Sequence, residues 1–164
     1  MSYKGMRELA EEERSEDLPR AMSRGYAATA ESVPIARAQL VALAEAAGAE
    51  DHQLEAVALA SSEALTNAVR HAYRDGPGQI QVSAWMAGEA FVVMIADDGR
   101  GFQAQSEAPG LGVGLGLIAK VTDEFEIVQP ARGGTEVQMR FSLDRREPPS
   151  GRAPLSPAGQ PSIG

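Results

Sequence analysis

Apolar residues recur every three or four positions in two stretches of the chain, which is the spacing of one face of an α-helix. The first stretch covers residues 35–47, follows a candidate N-cap at Ser32 and stops at Gly48. The second covers residues 51–73. The pattern therefore predicts two consecutive helices in the first half of the chain.

Apolar and polar residues alternate in other stretches, and a period of two is typical of β-strands. The predicted strands span residues 24–30, 79–85, 90–96, 125–128 and 135–143. A further short helix is predicted over residues 117–122. The order β-α-α-β-β-α-β-β predicts an α/β fold of two layers, an α+β sandwich with its helices on one face of a sheet.

The two ends of the chain differ in composition from its middle. Residues 1–22 are rich in charge, and a short helix over residues 6–14 is compatible with their pattern although nothing there requires it to pack. Residues 144–164 hold half of the ten prolines, and such a segment cannot bury enough apolar surface to offset its ordering entropy. We expect an acidic, flexible arm at 1–22, one ordered domain at 23–143 and a disordered Pro/Gly-rich tail at 144–164.

Composition narrows the class of protein. The 164 residues include no cysteine, which excludes disulfides, thiolate metal sites and cysteine nucleophiles and fits a reducing cytosol. The formal net charge of −8 disfavours a nucleic-acid partner, because Lys and Arg must neutralise the phosphates. No secretory signal is evident, and the longest apolar run, residues 90–96, is far shorter than the roughly 20 residues that span a bilayer. We expect a soluble, cytoplasmic protein with neither nucleic acid nor membrane as partner.

Three polar residues follow one stripe of the second predicted helix. Glu63, Asn67 and His71 are spaced four residues apart and therefore lie on one side of it. A carboxamide oxygen suits Mg²⁺, and a carboxylate one turn away can orient a nucleophile. A solvated helix face without a function gives the same pattern, so the stripe alone leaves both interpretations open.

An acid and two glycines stand where the predicted strand 90–96 ends. Asp97 follows the strand, and Gly99 and Gly101 come at alternate positions after it. The acid can accept a hydrogen bond from a ring amine, and the glycines let the backbone approach a ligand closely. The alternative is a tight turn that binds nothing.

A second glycine-rich run leads into the predicted helix 117–122. Gly112, Gly114 and Gly116 alternate with leucine and valine. Backbone amides at a helix N-terminus form a site for anions such as phosphate. A merely flexible loop does not explain the interleaved apolar residues, and the absence of a following Gly-Lys-Ser/Thr excludes a Walker loop.

Together, and in this order, the motifs resemble the Bergerat ATP-binding fold of gyrase, Hsp90, histidine kinases and MutL. The segments that carry the resemblance are EALTNAVRH at 63–71, DDGRG at 97–101, GVGLGL at 112–117 and GGT at 133–135. Within that fold the chain is most similar to bacterial anti-sigma-factor serine/threonine kinases of partner-switching systems. The likeness covers about residues 23–143 and implies a mixed, mostly antiparallel sheet with helices on one face.

The resemblance also implies roles for individual residues. Asn67 would coordinate the Mg²⁺ that bridges the phosphates of ATP, and Glu63 would act as base or orient the attacking group. Asp97 would bind the adenine amine, and Thr135 would support adenine, often through water. The glycines that would fold over the nucleotide or cradle its phosphates are Gly99, Gly101, Gly112, Gly114 and Gly116.

The function implied by the resemblance is that of a Mg²⁺- and ATP-dependent serine/threonine protein kinase. It would phosphorylate an anti-sigma antagonist of the STAS type and would sequester a sigma factor. One alternative is an ATP-binding module that sequesters a partner with little or no catalysis, and another is a stress-signalling kinase that acts on a scaffold protein. Members of the family are often homodimers, so self-association is a further expectation.

Overall fold

The computed structural model of the protein describes residues 20–72, 76–99 and 111–143. Their order confirms the predicted succession of strands and helices. The elements are β1 (Arg20–Ala27), α1 (Ser32–Ala46), α2 (Asp51–Ala72), β2 (Gln79–Ala87), β3 (Ala90–Asp97), α3 (Leu111–Val121), β4 (Glu124–Val128) and β5 (Thr135–Ser142). The predicted tail and residues 1–19 of the predicted arm lie outside the described residues.

The five strands form one sheet in the order β1-β2-β3-β5-β4, and all four of its pairings are antiparallel. The α/β class is therefore confirmed, and the described strands include no parallel pair. Because β5 inserts between β3 and β4, the end of β3 lies beside the start of β5. Asp97 is paired with Thr135 there, so two residues 38 positions apart meet at one edge of the sheet.

The three helices pack on one face of the sheet and close a single main core. Even-numbered residues of β2 and odd-numbered residues of β3 and β5 point into it, as the pleat of a strand requires. Fully buried members from both layers include Leu40, Leu65, Ile80, Ile95 and Met139. Each such side chain contributes about 1.5–3 kcal/mol on transfer from water, so this core fixes how α2 lies across the strands.

The first strand and the first helix begin earlier than the sequence predicts. β1 starts at Arg20 and not at residue 24, because its pairing with β2 continues through an irregularity between Arg20 and Met22. Helix α1 begins at Ser32 itself, and its N-cap is Glu31 with no side-chain cap. The prediction of Ser32 as N-cap is therefore wrong by one position. The pKa of Glu31 lies below its ordinary value because the carboxylate accepts hydrogen bonds from its own backbone N–H and from Thr29.

Helix α3 is longer than the predicted 117–122 and begins at Leu111. The three alternating glycines therefore lie inside the helix, and the prediction that they precede it is wrong. Glycine costs about 1 kcal/mol relative to alanine in a helix, which is why the sequence pattern favoured a loop. Burial of Ile118 and packing of Leu115 against the main core stabilise the helix in spite of that cost.

None of the helices within the described ranges is both long enough and apolar enough to cross a membrane.

Candidate functional site

A narrow cleft opens where α2, α3 and the adjoining ends of β3, β4 and β5 meet. It brings together three of the side chains singled out from the sequence: Asn67 from α2, Asp97 from β3 and Thr135 from β5. Its walls are apolar and come from Ala64, Ala68, Ile95, Leu115, Ile127 and Val137. A cleft with apolar walls and a few convergent polar groups has the character of a small-molecule site.

Helix α2 sets the position of Glu63 and Asn67. Its buried side includes Val57, Ala64 and Ala68, which fix the rotation of the helix on the sheet. Glu63 and Asn67 are then half-buried at the border of that side and point toward α3. His71 belongs to the same helix, but its side chain lies outside the described part of the structure.

Gly114 brings α3 close to these two polar residues. A Cβ atom placed on Gly114 would lie 2.8 Å from Oε2 of Glu63 and 3.6 Å from Nδ2 of Asn67. The first distance is shorter than real side chains allow, so only glycine leaves the carboxylate where it is. The N-terminal part of α3 thus lies against Glu63 and Asn67, although the two segments are far apart in sequence.

Asp97 is held at the end of β3 by its neighbours. Its Oδ1 accepts a hydrogen bond of 2.9 Å from the backbone N–H of Gly99. The next residue, Asp98, accepts one of 3.0 Å from the backbone N–H of Gln79 and ties the start of β2 to this edge. These bonds fix the direction in which the Asp97 carboxylate is presented to the cleft.

Thr135 carries a polar atom that the described residues leave unsatisfied. The residue is only 6% exposed, and its Oγ1 has no hydrogen-bond partner among the described residues. A buried hydroxyl without a partner costs about 1–3 kcal/mol. Its position in the wall of the cleft makes it a group that a bound polar ligand or water would satisfy.

The remaining predicted site residues have different outcomes. Gly99 lies beside the cleft and bonds to Asp97, whereas Gly101 lies outside the described residues. Gly112 and Gly116 are both part of α3, and a Cβ on Gly116 would meet nothing within 4 Å. Sequence reasoning missed the apolar walls, although Ala64 and Ala68 flank Asn67 at a spacing that could have indicated them.

The described residues are better suited to a Mg²⁺ ion that binds together with a nucleotide than to a metal ion held by protein side chains alone. Within the described ranges, no group of three or more His, Cys, Asp or Glu side chains is placed to hold a metal. Mg²⁺ is commonly held by substrate phosphates together with one or two protein ligands. Asn67, half-buried beside Glu63 and Gly114, offers one such oxygen.

A larger cavity, of about 220 Å³, lies near the start of α2 and contains none of the predicted site residues. Its buried Gln53 is fully engaged: Nε2 donates to the carbonyl of Ser142 over 2.9 Å, and Oε1 accepts from the backbone N–H of Glu50 over 2.7 Å. Ser142 in turn donates its N–H to Asp123. These bonds connect α2 to the end of β5 and therefore have a structural role. The larger volume of this cavity does not make it the candidate functional site.

Comparison with known proteins gives consistent results. The profile of the histidine kinase-like ATPase domain matches residues 26–141. Serine-protein kinase RsbW of Bacillus cereus (strain AH187) is 28% identical over 144 residues, which cover 79% of this chain and 89% of that protein. The RsbW of Bacillus mycoides (strain KBAB4) gives the same values.

A solved structure shows the same fold. The RsbU and RsbW domains of Rv1364c from Mycobacterium tuberculosis superpose with a TM-score of 0.58 at 26% identity. The match covers 74% of this chain and 31% of that longer one, so the chain corresponds to about a third of it. All four site segments of the sequence fall between residues 26 and 141, within the matched range.

Proposed function

Because the chain belongs to the histidine kinase-like ATPase domain family, we propose that it binds Mg²⁺-ATP in the cleft and transfers the γ-phosphoryl group to a serine or threonine of a partner protein. The observation that carries the proposal is the convergence of Asn67, Asp97 and Thr135 in one apolar-walled cleft. The similarity to the serine-protein kinases RsbW supports the choice of a protein as phosphoryl acceptor.

The inner part of the cleft suits an adenine ring. Asp97 can accept a hydrogen bond from the exocyclic amine, and the Oγ1 of Thr135 can bond a ring nitrogen directly or through a water. The apolar side chains of the walls would pack against the ring. Because Asp97 and Thr135 are register partners across β3 and β5, the two residues are neighbours and could contact the same base.

The phosphates would then extend toward Asn67 and the start of α3. Backbone N–H groups at a helix N-terminus favour negative charge, and Asn67 would help to hold a Mg²⁺ ion that would supply further neutralisation. Glu63 lies one turn from Asn67 on α2 and would orient the acceptor hydroxyl and accept its proton. Phosphoryl transfer needs positioning and charge stabilisation more than covalent chemistry, and these groups would supply both.

The partners follow from the same similarity. We infer that the acceptor is a small antagonist protein of the STAS type and that the kinase also sequesters a sigma factor. Phosphorylation of the antagonist would weaken its complex with the kinase and leave the kinase to the sigma factor. The choice between partners would then depend on the nucleotide state of the cleft and on the phosphorylation state of the antagonist.

Equilibrium ATP binding with and without Mg²⁺, followed by a phosphorylation assay, tests the proposal. We expect Mg²⁺-dependent binding that Asn67→Ala reduces at least tenfold, whereas Gln81→Ala, which alters an exposed carboxamide on β2, leaves it unchanged. Binding together with transfer of labelled γ-phosphate to a STAS-type antagonist supports the kinase. Binding without transfer to any antagonist reduces the function to nucleotide-dependent sequestration, and no binding by the wild type overturns the proposal.

A further inference from the structure

The first strand, β1, is the longer of the two edges of the sheet. In the strand order β1-β2-β3-β5-β4, β1 and β4 each pair with one neighbour among the described strands. β4 has five residues, of which two are glutamates. β1 has eight residues and no proline, and its residues 22–27 pair with β2 without interruption. Such an edge presents a row of backbone N–H and C=O groups with which another strand can pair.

Arg24 stands within this uninterrupted run and points to the helix side of the sheet. Its register partner on β2 is Val82, which belongs to the main core. Met22 and Tyr26, two positions before and after it, pack against the same core, as the pleat of a strand requires. The Arg24 side chain is exposed. A charge that points inward from an edge strand is one of the devices that prevent pairing with another chain.

The strand is accessible on both sides of Arg24. Its neighbours Ser23 and Gly25 are exposed as well. The Oγ of Ser23 accepts a hydrogen bond of 3.1 Å from Nε2 of Gln81 and one of 3.4 Å from Oγ of Ser83. Both donors belong to β2, so these bonds hold β1 to the neighbour that it already has and leave its other edge accessible.

A second copy of the chain would pair with this edge in a small number of registers. Two β1 strands related by a two-fold axis perpendicular to the sheet run antiparallel, and residues directly opposite each other must face the same side. The register centred on Gly25 opposes two glycines, which have no side chains to pack. The register centred on Arg24 instead forms two apolar pairs of Met22 with Tyr26, but it places Arg24 opposite Arg24 of the second copy. Like charges directly opposite each other destabilise a strand pair.

We propose that the charge of Arg24 prevents the β1 edges of two copies from pairing, and that without this charge two copies join into one continuous sheet in the register centred on residue 24. Arg24 thus acts against one particular contact, which the rest of the strand favours through Met22 and Tyr26. The proposal does not depend on the nucleotide cleft or on the proposed kinase activity, and it is compatible with self-association through any other surface.

A single cysteine at Ser23→Cys reports on this pairing even if copies associate elsewhere, because the chain has no cysteine of its own. In the register centred on Arg24 the two cysteines would be diagonal neighbours about 7–8 Å apart, within reach of a short bifunctional thiol reagent. In the full-length chain, we expect Arg24→Val to raise the crosslinked fraction severalfold over that of Ser23→Cys alone. Arg37→Val, which removes the same charge from an exposed position of α1, should leave it unchanged. Equal crosslinking with and without Arg24, or the same rise in Arg37→Val, would overturn the proposal.

Charge reversal separates the charge of Arg24 from the size of its side chain. With Arg24→Glu in the Ser23→Cys background, two copies again oppose like charges, so this protein alone should crosslink as little as its parent. An equal mixture of the two proteins should crosslink more, because Arg24 of one copy then faces the opposite charge of the other. Mass spectrometry identifies the mixed product. A mixture that crosslinks no more than its separate components would contradict the proposal.

Discussion

The α-carbon of Gly134 is packed directly against the backbone carbonyl of Asp97. A Cβ atom on Gly134 would overlap the carbonyl oxygen of Asp97 and would lie 3.1 Å from its carbonyl carbon. Gly134 also has a φ of 86°, in the left-handed region that side chains disfavour. The turn before β5 therefore requires glycine at position 134 for two reasons, the close contact and the positive φ. This turn holds in place the end of β3, which presents Asp97.

Gly134→Ala should therefore damage both stability and nucleotide binding. The added methyl must push the backbone of Asp97 away, and the positive φ adds about 1–2 kcal/mol of strain. We expect the free energy of unfolding to fall by about 3 kcal/mol or more and ATP affinity to fall with it. Urea unfolding and ATP titration of the folded protein measure the two effects.

Gly133→Ala is the matched control for this prediction. Gly133 has a similar φ of 90°, but the nearest atom to its added Cβ is the carbonyl oxygen of Gly99 at 3.9 Å, an ordinary contact. Gly133→Ala should be destabilised only by the strain of the positive φ and should retain ATP binding. Equal losses in the two variants would show that the contact with Asp97 contributes nothing beyond the conformation of the turn.

Gly114→Ala should fail to give the stability that alanine normally adds to a helix. Replacing a helical glycine by alanine gains about 0.8–1 kcal/mol, and Gly116→Ala, whose Cβ meets nothing within 4 Å, should show that gain. At Gly114 the new Cβ meets Oε2 of Glu63, so part of the gain is lost in moving the carboxylate. Urea unfolding of the two single variants measures the difference.

A double-mutant cycle isolates the contact between Gly114 and Glu63. In a Glu63→Ala background the obstructing carboxylate is absent, and Gly114→Ala should then gain about as much stability as Gly116→Ala does. The same loss at Gly114 in both backgrounds would place the obstruction elsewhere on α3.

Thr135→Val should make the protein more stable and a weaker ATP binder. Valine has nearly the shape of threonine but removes the buried Oγ1 that has no partner among the described residues. The free energy of unfolding should rise by about 1 kcal/mol, while loss of one ligand hydrogen bond should weaken ATP binding about threefold to tenfold. Thermal unfolding and ATP titration check the two parts separately.

Ser61→Ala is the control for Thr135. Ser61 on α2 also has a buried hydroxyl without a partner in the described part of the chain, but it does not line the cleft. It should stabilise the protein without a change in ATP affinity. Unchanged affinity in Thr135→Val as well would remove Thr135 from the proposed site.

The sequence predicted the elements of this fold well because their hydrophobic periods are clear. It did not predict that α3 begins at Leu111, because three glycines in one helix contradict local propensity and packing of Leu115 and Ile118 in the main core compensates for them. The pairing of Asp97 with Thr135 also could not be predicted from the local sequence pattern, because it depends on β5 inserting between β3 and β4. Motif resemblance identified these two residues, whereas their adjacency required the sheet topology.

Glu63→Gln should separate catalysis from binding. The amide keeps the size of the side chain beside Gly114 but can no longer accept a proton, so the acceptor hydroxyl loses its base. We expect ATP affinity to change by less than about twofold, since Glu63 does not line the cleft, and the phosphorylation rate to fall by about 10²–10⁴. Glu55→Gln, an exposed glutamate two turns earlier on α2, should change neither quantity. A Glu63→Gln protein that phosphorylates its partner at the wild-type rate would exclude Glu63 as the base, and one that no longer binds ATP would assign it to the binding of the nucleotide or its metal.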